Sequence, residues 1–389
     1  MGTPLPPRAQ ALFDWLVDGA PGATTPMAVV QRIANELQAL EVHIERIAAF
    51  VRTLHPHVVG RRFLWEASTD KVEVGELSWD RLSSVGFQES PIAHVMNTGE
   101  IVRGQLRPDA KLAFKDLVEM RDKGFTELSV FPLKFMGGTT HAISFATRAP
   151  GGFADSQFEM IRELMRPLSR VAETLALMRT AVNLLNAYVG NDAGERILQG
   201  QIRRGDTQLI NCVIWFSDLR GFTSLSSERA PQDIISVLNQ FFECQVPAIE
   251  KEGGQVLKFI GDGLLAIFPV KADARASGDA AVRASRGAFE ALQKLNATRA
   301  ERGESALGFG VGLHLGEVAF GNIGGSNRLD FTAIGPAVNL ASRIESMTGK
   351  LGKQVLVSGE LAKHLSVATR SVGDFELKGV PGRVELFEL

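Results

Sequence analysis

Two long runs of apolar residues spaced three and four apart mark the first half of this 389-residue chain, with alternating stretches between them. The first run begins at Pro26, where Thr25 can cap a helix and proline suits the first turn. Ile33, Leu37, Leu40, Ile44, Ile47, Val51 and Leu54 follow at spacings of 4, 3, 4, 3, 4 and 3, a heptad seam that predicts one helix through residue 54. Residues 1–25, with Pro21-Gly22, predict a loosely ordered tail. Between 60 and 155, strands are predicted from Arg61 to Val74, Thr126 to Phe135 and His141 to Ala146, the last two paired across Gly137-Gly138. Short helices are predicted near Ala93 and from Lys115 to Arg121. The second seam, Ile161, Leu164, Leu168, Val171, Leu175, Met178, Val182 and Leu185, predicts a coiled-coil helix that Pro167 kinks or starts. Two such helices around a small α/β module are the layout of a sensory domain. They pack on each other or on a second chain.

Gly190 to Asp206 contains four glycines and predicts a short helix between hinges. Beyond it the pattern gives strand Gln208–Phe216, helix Pro231–Glu252, hairpin Gln255–Phe268, helix Asp273–Arg299 and strand Leu307–Val318. Strand Asp330–Ile334, helix Ala337–Thr348 and strand Val384–Leu389 complete it. Strand, helix, two strands, helix, strand is the order of ferredoxin-like α+β folds. The organisation expected is a tail (1–25), a sensory and dimerisation domain (26–189), a linker (190–206) and a final domain (207–389).

Composition narrows the function. Hydrophobic residues are 45% and charged residues 22%, which excludes a disordered chain or a fibre. A formal charge of −2 gives no global attraction for nucleic acid or anionic lipid. Cys212 and Cys244 are too few for a disulfide scaffold and lack a CxxC context, so buried thiols are expected. With no signal-peptide core and no run of about 20 apolar residues, the expectation is a soluble, cytoplasmic protein.

Asp218 stands where the apolar strand Val213-Ile214-Trp215-Phe216 runs out into Ser217-Asp218-Leu219-Arg220-Gly221-Phe222-Thr223. A carboxylate there can hold a cation, or simply cap a helix. The backbone N–H groups of the Gly221-Phe222-Thr223 turn can cradle phosphate oxygens. Asp262 lies in a Gly-Asp-Gly turn between two apolar strands, the mark of a tight hairpin. A hairpin tip in a ferredoxin-like sheet can approach the end of the first strand, and two carboxylates there could hold a pair of Mg²⁺ ions with substrate phosphates. Asn339 and Arg343, at i and i+4, share one helical face: a solvated polar face, or a pair that meets a transferring phosphoryl group. His55 and His57 flank Pro56 in an expected turn, and His314 alternates with apolar neighbours as a structural residue.

These motifs together resemble the class III nucleotidyl cyclase catalytic domain, the adenylate and guanylate cyclase family, over roughly residues 205–389. The matching stretches are Phe216–Thr223, Lys258–Gly263, Asp330–Gly335 and Val338–Arg343. The resemblance implies two Mg²⁺ or Mn²⁺ ions on Asp218 and Asp262, with the Leu219 carbonyl also facing a metal. It implies that Asn339 and Arg343 serve the transition state, and that Lys258 and Thr332 read the base. A lysine donor and a hydroxyl acceptor suit adenine, whereas the N–H groups of guanine want a carboxylate. The expected reaction is ATP to 3′,5′-cyclic AMP and pyrophosphate, at sites shared across a homodimer. Guanylate cyclase and a silent nucleotide-binding regulator are the alternatives. Two departures stand out: Pro336 follows Gly335, and the phosphate-binding lysine of some members aligns with Val380, near Lys378 and Arg383. The first half resembles a GAF-type sensory module more faintly. A small-molecule ligand there is a candidate partner, although no motif names one.

Overall fold

The computed structural model of the protein describes residues 5–54, 58–228 and 230–389, so the expected turn at His55-Pro56-His57 lies outside the described residues. The chain divides into two compact units, Met1–Ala187 and Tyr188–Leu389.

The first unit runs α1 (Pro7–Val17), α2 (Pro26–Ala39), β1 (Arg46–Arg52), β2 (Gly60–Glu66), β3 (Lys71–Leu77), α3 (Trp79–Ser83), α4 (Val85–Gln88), α5 (Pro91–Thr98), β4 (Val102–Gln105), α6 (Lys115–Asp122), β5 (Glu127–Lys134), β6 (Thr140–Thr147) and α7 (Asp155–Val189). The strands form one antiparallel sheet in the order β3-β2-β1-β6-β5-β4. Ile47, Ala49, Phe63, Trp65, Phe131 and Ile143 face α1, α2 and α7 in one apolar cluster. Val130, Ala142 and Ala146 face α5 and α6 in another.

Two expectations fail here. The segment before residue 25 is not a loose tail, because Leu12, Trp15 and Leu16 of α1 are buried and the Trp15 indole N–H donates to the Pro21 carbonyl at 3.0 Å. The first heptad seam is not one helix either. α2 ends at Ala39, Glu41 takes φ 59°, and Ile47 and Val51 belong to β1. A spacing of four keeps two residues on one face of a strand as well as of a helix, and pairing of β1 with both β2 and β6 decides for the strand. The second seam does form a single helix. Pro167 lies inside α7, its ring buried, and neither starts nor ends it. Ile161, Leu164, Leu168 and Val171 are buried, while Met178 is exposed.

The second unit runs α8 (Asn191–Leu198), β7 (Thr207–Leu219), α9 (Phe222–Glu228), α10 (Pro231–Lys251), β8 (Gln255–Ile260), β9 (Gly263–Pro269), α11 (Ala274–Glu301), β10 (Phe309–Gly324), β11 (Leu329–Ile334), α12 (Pro336–Leu351), β12 (Val355–Ser358), α13 (Gly359–Ala362), β13 (Arg370–Glu376) and β14 (Arg383–Glu388). Its sheet has the order β13-β14-β12-β10-β7-β9-β8, with β11 paired to β10. The β7-α10-β8-β9-α11-β10 core, with spatial order β10-β7-β9-β8, is the expected ferredoxin-like arrangement. α10 and α11 bury Phe241, Ile249, Ala281 and Ala288 against one face. α12 sets Ala337 and Ala341 against the other. Among the described residues no helix is long and apolar enough to cross a membrane.

Candidate active site

Val213, Ile214 and Trp215 are fully buried, and β7 continues to Leu219, so Asp218 sits in the ladder opposite Gly310 of β10. The β8–β9 hairpin turns through Gly261, at φ 64°, and Asp262, with Ile260 paired to Gly263. A side chain at Gly263 would put its Cβ 3.4 Å from Asp218 Oδ1 and 3.3 Å from the Ser217 carbonyl, so glycine lets the hairpin tip close on the end of β7. This brings Asp218 and Asp262 together, as a hairpin tip beside the end of the first strand allows. Burial, then the charge and hydrogen bonding of Asp262, push the Asp218 carboxyl up to about 6, against the Leu219 N–H that favours its ionised form.

A third carboxyl, which no sequence motif marks, lies close by. Glu345 on α12 is 8% exposed, and α12 lies so close over β10 that a Cβ at Gly310 would meet Glu345 Oε1 and the Thr348 hydroxyl. Burial and then the charge of Asp218, with a smaller part from Asp262, push Glu345 up to about 8; the Thr348 hydroxyl and Arg220 act in the opposite sense. Its one sequence signal is a charged residue at a position that continues the buried stripe Ala341, Ile344 and Thr348. An acid raised from 4.5 to about 8 stabilises the metal-free fold fully below pH 4.5, and that contribution is lost as the pH rises through 8. Glu345→Gln should therefore flatten the stability profile and raise unfolding stability at pH 8 by on the order of a few kcal/mol. Urea unfolding in EDTA from pH 5 to 8.5 tests this, and parallel profiles for the two proteins would refute it.

Lys258 on β8 reaches Asp330 of β11, Nζ to Oδ2 3.8 Å. Thr332, two residues further along β11 and so on the same face, is 2% exposed and its hydroxyl has no partner among the described residues. A cavity of about 610 Å³ is lined by Lys258, Phe216, Ile260, Ile334, Pro336 and Asn339, among others, but by neither Asp218 nor Asp262. Asn339 and Arg343 are both exposed on α12. Asn339 shares the cavity with Lys258, whereas the carboxylates form a separate cluster. Gly221, at φ 72°, leads into α9, where Phe222 packs on the core and Thr223 is exposed.

The remaining candidates have other employment. The Arg383 guanidinium donates to the Asp374 carbonyl at 2.7 Å, Val380 packs in a small apolar cluster, and Lys378 is exposed. His314 lies 2.8 Å from the Ser358 hydroxyl, and burial lowers its pKa to about 4. Both cysteines are buried free thiols.

The donor set fits a divalent cation. The Asp262 charge opposes ionisation of Asp218, and paired oxygen ligands without histidine or thiolate suit Mg²⁺ or Mn²⁺. Among the described residues no group of three or more His, Cys, Asp or Glu forms a closed metal cage.

The sheet is ferredoxin-like in order, and it gathers carboxylates where its first strand meets a hairpin. Residues 206–389 match the model of the adenylate and guanylate cyclase catalytic domain and belong to that family. Adenylate cyclase from Anabaena cylindrica is 31% identical over 246 residues, which are 61% of this chain and 47% of that protein. The chain thus spans about half the length of that relative. The adenylyl cyclase CyaB from P. aeruginosa is 30% identical, over 47% of this chain and 95% of that one, with a TM-score of 0.43. The guanylyl cyclase Cya2 is 31% identical, over 47% and 92%, also with a TM-score of 0.43.

Proposed function

We propose that the second unit is an adenylate cyclase. The ribose 3′-oxygen of ATP attacks the α-phosphorus, the bond to the bridging oxygen breaks, pyrophosphate leaves, and the hydroxyl proton passes to solvent. The observation that carries this reading is the Asp218–Asp262 pair, whose mutual repulsion is relieved by cations and serves no purpose in a purely structural domain. Asp218, Asp262 and the Leu219 carbonyl would hold two Mg²⁺ or Mn²⁺ ions, which in this chemistry stabilise charge on the attacking and leaving oxygens. Gly221, Phe222 and Thr223 offer backbone N–H groups to the phosphates. Arg343 neutralises charge developing on the phosphorus, and Asn339 orients the sugar.

Adenine is favoured because the Lys258 ammonium can donate to a ring nitrogen, while the unpartnered Thr332 hydroxyl can accept from the exocyclic amine. The carboxylates and the Lys258–Asn339 cavity are separate groups within one chain, so the complete site combines the carboxylates of one copy with the cavity of a second. The first unit would be its GAF-like regulatory module. The 31% identity to a guanylyl cyclase favours GTP as the second reading. The test is the full chain with Mn²⁺ and either ATP or GTP, with products identified by mass. Cyclic AMP from ATP is expected. Cyclic GMP from GTP alone would keep the reaction and reject the base assignment, and no cyclic product from either would reject the function.

A further inference from the structure

We propose that the first unit binds an amphipathic carboxylate, one aliphatic chain with a single anionic head, in a cavity of about 330 Å³ on the helix-covered face of its sheet. The register places Val51 opposite Arg61 and Ala49 opposite Phe63, and these side chains form the floor. Val30 of α2 and Leu175 and Val182 of α7 form the walls. The same sheet face is tightly filled further along, where Ile47, Trp65 and Phe145 are fully buried. The space is a cleft at the edge of that core, with Met178 and Arg179 exposed at its rim. Protein interiors leave few voids larger than a water molecule. An engineered apolar cavity of about 150 Å³ already takes up benzene.

The charged groups decide which end of a ligand is bound where. Arg52, Arg61 and Arg179 line the cavity, and among the described residues no carboxylate does. Arg61 gives one terminal nitrogen to Glu76 at 3.2 Å, yet its Nε–H is out of solvent and has no partner among the described residues. A buried donor left unpaired is costly, and a ligand carboxylate would satisfy it with a charge-assisted bond. An alkyl ammonium would meet the Arg61 and Arg179 guanidinium groups as like charges. A neutral alcohol would fill the space without meeting the charge. An apolar side chain from a second copy would also fill it, but would leave Arg61 Nε unpaired.

Calorimetric titration of the full chain with decanoate, 1-decanol and decyltrimethylammonium, each below its micelle concentration, tests the assignment. Saturable decanoate binding is expected, at least about tenfold tighter than decanol, with none for the ammonium. Arg61→Met should weaken decanoate about tenfold and leave decanol within about twofold. Ala176→Trp, which fills the cavity, should abolish both. No saturable decanoate binding, equal affinity for the ammonium or the alcohol, or unchanged decanoate affinity in Arg61→Met would each overturn the proposal. The arginine variant alters a partly exposed side chain, so the test stands even if the tryptophan variant fails to fold.

Discussion

Asp218→Asn and Asp262→Asn should each lower cyclic nucleotide formation by at least about 10²–10³-fold without unfolding the protein. Asparagine keeps the shape of each side chain but removes the charge that would hold a cation. At position 218 the fold should not suffer, because the Asp218 charge is a burden to it. Asp218 is raised from 3.8 to about 6, so its stabilising contribution is present below pH 3.8 and is lost as the pH rises through 6. In EDTA at pH 8, Asp218→Asn should melt at or above the wild-type temperature. An inactive variant that is at least as stable as the parent separates a chemical role from a structural one. Arg343→Ala, at an exposed position, should be inactive for a different reason and on the other part of the site. If each site takes its carboxylates from one copy and Arg343 from the second, Asp262→Asn mixed equally with Arg343→Ala should recover up to about a quarter of the activity. Half the random dimers are mixed, and each of those has one intact site. No recovery after subunit exchange would place the whole site in one chain, and near-normal turnover by either aspartate variant would sink the two-metal assignment.

The sequence exposed the carboxylate pair because its signals are local. An apolar strand running out at Asp218 and a Gly-Asp-Gly turn at Asp262 each announce a strand end, and the ferredoxin-like order brings those two ends together. Glu345 was invisible for the opposite reason. Its burial depends on Gly310, thirty-five positions earlier, letting α12 settle on β10, and no spacing rule along a helix reports what lies beneath it. Asp330 lies within a motif, but its pairing with Lys258 arises only when β11 and β8 come together. In the first half, the period-four spacings of Ile47 to Val51 satisfied helix and strand alike, and hydrogen bonding to two neighbouring strands settled what periodicity left open. Leu12, Trp15 and Leu16 repeat at helical spacing in α1, but the nearby Pro and Gly are equally the composition of a tail.

Lys258→Glu with Thr332→Cys should change the ratio of kcat/KM for ATP over GTP by at least about 100-fold toward GTP. Guanine presents ring and exocyclic N–H donors, so a carboxylate at position 258 offers the acceptor that lysine lacks. A site left with an unpaired buried polar group discriminates strongly, and adenine would then leave the carboxylate without a donor. The local structure adds a complication. Asp330 stands 3.8 Å from the Lys258 ammonium, so the exchange replaces an ion pair with two facing carboxylates. Their repulsion would raise one pKa and weaken the new acceptor. Adding Asp330→Asn should therefore lower KM for GTP further in the double variant. Applied to the parent alone, Asp330→Asn frees Lys258 from its anchor and should raise KM for ATP with little change in kcat, since it loosens base binding rather than the reacting centre. Initial rates for both nucleotides across the four proteins decide the matter. A double variant that loses ATP turnover without gaining GTP turnover, with or without Asp330→Asn, would show that Lys258 and Thr332 do not read the base.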